Sequence, residues 1–331
     1  MKTWGDLLEA CCRAIDRQDW DRGEAILQQM DREAAHQAAP ETLASAAFHR
    51  GLFHDAKGEL ARAEAAFGES VSWDERAHGP HHQAVADALR SVAIVQGKRG
   101  NLEAAVATRR RVADVQKALG SSVLAAEALI EAGDALRHGG HFKSAVQIAT
   151  EGLELLRGNA STEARTQRVF GYLVQSECLR ACEVLDGACD RAILATIQGR
   201  DPRDPPLRRA IATAWERLAT LARLRWKDEG LAVLSLAVAR DVAPDRAVAA
   251  RLAAEIAASP DAELGARPIE GYVVSRRLTT GEVQLVHPGE GLVYAQDART
   301  AAPPLLRGDR VTAVATDREA AVGYRITDRT G

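Results

Sequence analysis

The chain has 331 residues, 46% hydrophobic and 27% charged, a globular balance with length for about two domains. Its 43 Lys and Arg against 46 Asp and Glu leave a formal charge of -3, which excludes the cationic field of a charge-driven nucleic-acid or acidic-membrane binder. Aromatics are only 4% while alanine is abundant, a bias that suits close helix-on-helix contact rather than a β-sandwich, so a mainly α fold is expected.

At the amino end, Asp6 and Glu9 interrupt the stretch where the apolar region of an export signal would lie. The longest nearly apolar run, residues 231–239, is about half a membrane span. Cys11, Cys12, Cys178, Cys182 and Cys189 are too few and too unevenly placed for a disulfide framework. These features predict a soluble protein of a reducing cytoplasm with no membrane partner.

A self-similarity organises the chain from there. Gly58, Gly100 and Gly140 each stand between two amphipathic stretches. Each is followed two residues later by Leu60, Leu102 or Phe142 and five residues later by Ala63, Ala105 or Ala145. That pattern predicts helix, turn, helix: glycine ends the first helix, the large apolar residue plugs the open end, and alanine lets the axes approach. Weaker copies carry Trp20 with Gly23, Leu185 with Ala188, and Glu229 with Ala232. The turn positions are then 18, 58, 100, 140, 183 and 227, a period near 42. Six hairpins cover about residues 3–241, with a longer connection and a bend at the proline cluster 200–206, a second loop at 158–162, and a closing helix at 245–258 with Asp245 as its N-cap.

After about residue 263 the period changes to β-branched residues and turn pairs, and about five short strands are expected. Thr280-Gly281 and Pro288-Gly289 mark turns, and Arg267-Pro268 a domain boundary. The division expected is residues 1–263, an α-solenoid of about six hairpins with its closing helix, and residues 264–331, a small all-β barrel whose closure hides the sheet edges.

The hairpin positions resemble the tetratricopeptide repeat, in the long form found in kinesin light chains and many bacterial proteins. Residues 79–120 carry the match best: Gly79-Pro80-x-His82 opens the repeat, Val92-Ala93 holds the Leu-Gly/Ala site, and Gly100, Leu102 and Ala105 follow in step. The resemblance implies a superhelix that holds a protein partner. The tail is similar to a cold-shock-like or S1-like OB barrel in the order of Gly271-x-Val273, Gly281, Leu292-Val293-Tyr294 and Leu306-x-Gly308-Asp309-x-Val311. Where that family carries its aromatic stacking strand, this chain reads Thr280, Gly281, Glu282, Val283 and Gln284, which removes most of a mode worth about 1–3 kcal/mol per base.

Projecting the exposed positions of the first helices gives a candidate partner groove: Phe48, Leu52, Asp55, Asp87, Arg90, Ile94, Lys98, Glu127, Ile130, Asp134, Arg137, Phe170, Leu173, Glu177, Arg180, Arg217 and Arg225. Apolar anchors alternating with both charge signs suit an extended peptide or a partner helix. The Asn and Lys arrangement by which some tetratricopeptide domains clamp a terminal carboxylate is absent, Ile94 occupying a clamp site. Cys178, Cys182 and Cys189 match no paired zinc pattern and read as small packing residues. His49 with His54 lacks ligand geometry, and His78, His81 and His82 fall at a helix start where His can cap or hydrate. Arg109-Arg110-Arg111 reads as a solvated face of a second helix. With no activated nucleophile and no phosphate loop, neither catalysis nor a metal nor a cofactor is expected. The expected function is a non-enzymatic adaptor or scaffold that binds another protein and can pair with a second copy through an uncapped end. The alternative is a nucleic-acid-associated regulator contacting RNA or DNA through Arg276, Arg277 and Tyr294.

Overall fold

The computed structural model describes residues 3–196, 198, 204–227, 229–243, 245–258, 269–276, 282–287, 291–297, 310–315 and 324–329. The chain divides into two compact units, residues 1–158 and 159–331. The first is four antiparallel helix pairs: α1 (Trp4–Asp16) with α2 (Trp20–Gln37), α3 (Pro40–Ala56) with α4 (Leu60–His78), α5 (Gln83–Lys98) with α6 (Leu102–Ala118), and α7 (Ser122–His138) with α8 (Phe142–Leu155). The second pairs α9 (Thr162–Ala181) with α10 (Leu185–Thr196) and α11 (Pro205–Leu221) with α12 (Glu229–Val242), followed by α13 (Arg246–Ala258). This is a mainly α, tetratricopeptide-like helical-repeat fold.

Backbone dihedrals explain the period. Gln18, Gly58, Gly100, Gly140, Glu183 and Lys227 all adopt positive φ, from 55° to 81°. Glycine enters that region freely, whereas other residues pay about 1–2 kcal/mol. The second helix of each pair begins two residues after the turn, at Trp20, Leu60, Leu102, Phe142, Leu185 and Glu229. Three positions further on, Ala63, Ala105, Ala145, Ala188 and Ala232 are completely buried. At the first copy, a Cβ on Gly23 would lie 2.5 Å from the Phe53 ring, so only glycine fits there. The large residue and the small one therefore fix how each hairpin closes, and the turn residue follows.

Caps complete the helices. Thr3 and Asp6 form a reciprocal box at α1, with Thr3 N–H donating to Asp6 Oδ2 at 2.8 Å. At the proline cluster, Asp204 accepts from Leu207 N–H at 3.0 Å and Pro205 opens α11, so these residues start a helix; 200–203 lie outside the described residues. Asp245 accepts from Ala247 N–H at 2.8 Å, ahead of α13. After α11 a π-helical turn, Ala222–Trp226, takes up the extra length of the last interval before Lys227.

The first unit buries Phe67, Val85, Leu89, Val112, Leu129 and Ile148 between its hairpins. Leu7, Cys11, Met30 and Phe53 pack at its amino end. The core of the second unit gathers around Trp215, with Leu207, Ile211, Leu218, Leu221 and Leu252. Cys178 and Cys189 are buried as packing residues, while Cys182 caps α9 and is exposed, which corrects its assignment to the core.

Among the described residues after α13 are five strands: β1 (Ile269–Arg276), β2 (Glu282–His287), β3 (Gly291–Asp297), β4 (Arg310–Ala315) and β5 (Tyr324–Arg329). β1 pairs antiparallel with β2 and with β4, β2 with β3, and β4 with β5, while β3 and β5 run parallel, so the order β1-β2-β3-β5-β4 closes on itself. The expected boundary at 263/264 and at Arg267-Pro268, the turn pairs at 280–281 and 288–289, Arg277, and the landmarks at 306–309 lie outside the described residues.

Candidate functional site

The seventeen groove positions fall into columns when counted back from each turn. Six before the turn stand Leu52, Ile94, Asp134 and Glu177; ten before it stand Phe48, Arg90, Ile130, Leu173 and Arg217. The first column faces outward most clearly at Ile94, which is 44% exposed. The second points between neighbouring helices. There Phe48 packs edge-on against Phe67 with ring centroids 5.3 Å apart, and Leu173 packs on the second unit's core. Ile130 is buried, 3% exposed, because Gly152 on α8 leaves it a seat: a Cβ there would lie 3.0 Å from Ile130 Cγ1. Ile130 is a packing residue, and its place in the groove is withdrawn.

In the first unit some of the remaining charges form rungs between successive first helices and others pair within one helix. Lys98 on α5 donates to both carboxylate oxygens of Asp55 on α3, at 2.8 and 2.7 Å. Arg90 on α5 lies 3.9 Å from Glu127 on α7 and 3.8 Å from Asp87, which accepts from Gln83 at 2.8 Å. Burial pushes the Glu127 carboxyl above its ordinary value and Glu131 adds to this, against the pull of Arg90. The buried Nη2 of Arg90 makes no hydrogen bond. On α7, Arg137 donates to Asp134 at 2.8 Å. The arrangement is an exposed isoleucine on a face of matched, partly desolvated charges.

In the second unit, taken by itself, the projected residues lie on α9, α11 and the turn after α11. Phe170 is 43% exposed. Glu177, well shielded, accepts from Arg180 at 3.0 Å and pairs with Arg217 across the two helices. Arg225 stands in the π-helical turn and donates to Asp186 at the start of α10 at 2.7 Å, so it ties a hairpin end instead of extending a first-helix row. The hydrogen bond to Arg225 holds the Asp186 carboxyl below the usual range.

Several residues on the opposite side of the first unit behave unlike their sequence reading. Arg109, Arg110 and Arg111 pair with Glu131, Glu151 and Glu75 on three different helices, and Arg109 is largely buried, so this run stitches hairpins together and is not simply a solvated face. Between α4 and α6 a cleft of about 350 Å3, lined by Gly68, Val71, Ser72, Leu89, Val92 and Ala107 among others, went unrecognised. Its signal was in the repeat: eight residues before the turn stands Arg50, which bridges Asp31 and Glu69, and the next hairpin has Val92 there. Among the described residues no group of three or more His, Cys, Asp and Glu could hold a metal ion, and no helix is long and apolar enough to cross a membrane.

No protein-family model matches the sequence, and no curated protein is similar to it. Solved structures share its fold. RapI in its apo form superposes with a TM-score of 0.61 at 12% identity, over 78% of this chain and 72% of that one. BtubC (BKLC) from P. vanneervenii gives 0.51 at 14%, over 74% and 93%. The apo form of the quorum sensor NprR from B. thuringiensis gives 0.51 at 10%, over 75% and 68%. At these identities the likeness is one of fold.

Proposed function

We propose that the chain is a non-enzymatic adaptor whose first-helix face in residues 40–138 binds a peptide or a partner helix. The carrying observation is Ile94, a large apolar side chain 44% exposed between the Asp55–Lys98 and Arg90–Glu127 rungs. An apolar anchor ringed by charges gives affinity at its centre and orientation at its edge. A fold shared with the quorum sensor NprR is compatible with an output set by binding. Peptides selected from a displayed random library should bind the wild type and lose at least about tenfold, roughly 1.4 kcal/mol, on Ile94→Asp or Arg137→Glu, with circular dichroism unchanged. Ala107→Asp, on the cleft between α4 and α6, should leave them unaffected. Dependence on Ala107 with indifference at Ile94 would move the interface to the second helices.

A second reading rests on the tail. The strand order β1-β2-β3-β5-β4, with β3 parallel to β5, supports an OB-like barrel, a fold that serves oligonucleotide binding. On this reading Arg276, Arg277 and Tyr294 contact single-stranded RNA or DNA. Titration with single-stranded oligonucleotides should then give binding that weakens steeply with salt. Lack of binding at low salt removes it.

A further inference from the structure

His82 is the N-cap of α5, and its ring Nδ1 accepts the Ala84 N–H at 3.2 Å. A ring nitrogen can accept only while it carries no proton, so the cap exists only with neutral imidazole. The His82 ring stacks on that of His78, in the last turn of α4, with centroids 4.2 Å apart and planes 26° from parallel. One turn earlier on α4, buried Asp74 accepts from Ser70 at 3.3 Å. Between the helices the chain turns at Gly79, with φ at 86°.

We propose that this α4–α5 junction is a pH-sensitive joint, in which protonation of His82 removes the acceptor that caps α5 and separates the stacked rings. The two imidazoles are not equivalent. A cation on His78 sits at the carboxyl end of a helix, where the dipole favours it, and one turn from Asp74. A cation on His82 sits at the amino end of α5, where the dipole opposes it. Once both carry charge, rings in van der Waals contact repel, and the joint yields on the side whose hydrogen bond is already lost. Burial pushes the Asp74 carboxyl upward; the hydrogen bond from Ser70 and then positive charge on His78 and His82 pull it back, and Asp87 adds to the rise.

Other charges stand near the joint, Arg76 in the last turn of α4 among them, lying over the Trp73 ring at 4.6 Å. His81 lies exposed in the connection, Asp87 is the nearby acid on α5, and Glu41 stands in the first turn of α3, the antiparallel partner of α4. From α6, Gln116 reaches Gln83 at 3.2 Å, while Asp114 and Lys117 pair with each other at 3.3 Å and Arg111 pairs with Glu75 of α4. The helix that loses its cap also carries Arg90, Ile94 and Lys98, but the joint itself requires no partner.

Amide exchange on the full chain tests it, read as protection factors so that the intrinsic pH dependence of exchange cancels. Between pH 7.5 and pH 5.5, protection of Ala84, Val85 and Ala86 should fall about fivefold, the usual worth of an N-cap. Ala164, capped by Ser161 at 3.1 Å, should stay constant. His82→Asn, a cap that does not titrate, should keep the high protection at both pH values, and His82→Ala should hold the low value at both. Protection at Ala84 that ignores pH in the wild type, or that falls equally in His82→Asn, overturns the proposal.

Discussion

The turns at 58, 100 and 140 in the first unit are glycines, whereas those at 183 and 227 in the second are Glu183 and Lys227, held at φ of 62° and 55°. Ala188 and Ala232, five residues on, are nonetheless as fully buried as Ala63, Ala105 and Ala145. What survives from one unit to the other is a position, and the packing of the small residue enforces it even where the backbone pays for a side chain at positive φ. Gln18 in the first unit makes the same point, with Gly23 in the small position under Phe53. The units differ in their largest buried side chains: Phe53 and Phe67 in the first, Trp215 with Leu207, Ile211, Leu218, Leu221 and Leu252 in the second.

That contrast can be broken most forcefully at the tryptophan. Trp215→Ala should cost about 3–5 kcal/mol in denaturant unfolding, and a loss under about 1 kcal/mol would show that the second unit is not centred on it. Next come the small positions: Ala105→Leu and Ala188→Leu should each cost about 1–3 kcal/mol through overpacking, and tolerance at Ala188 alone would mean the shared position matters in one unit only. At the turns the signs should oppose. In denaturant unfolding Gly100→Ala should lower stability by forcing a methyl into the left-handed region, whereas Glu183→Gly and Lys227→Gly should raise it, each by about 1 kcal/mol or somewhat less. The smallest effect belongs to the rung: Asp55→Asn should cost under about 1 kcal/mol, fading with salt, because the Lys98 side chain is about half exposed.

The repeat was legible because each of its positions has a local packing reason. The large and small residues two and five positions on placed turns at Gln18, Glu183 and Lys227, where no glycine marks them, whereas of the histidines read at one helix start only His82 caps α5 and His78 ends α4. Sidedness was less legible. A helical projection puts Ile94 and Ile130 on one face, yet only the contents of the neighbouring helix decide which is covered, and the missing Cβ of Gly152 covers Ile130. The basic run at Arg109 misled for a related reason. Its partners Glu75, Glu131 and Glu151 lie on three other helices, and nothing along α6 announces them. Likewise the cleft beside Val92 becomes visible only when that residue is set against Arg50 one repeat earlier.

The proposed function turns on which face of the first unit receives a partner. Methyl-labelled protein titrated with a library-selected peptide addresses it directly. Shift changes concentrated at Leu52 and Ile94, with Val71 and Val106 unmoved, are the predicted result; changes at Val71 and Val106 with Ile94 silent would contradict it.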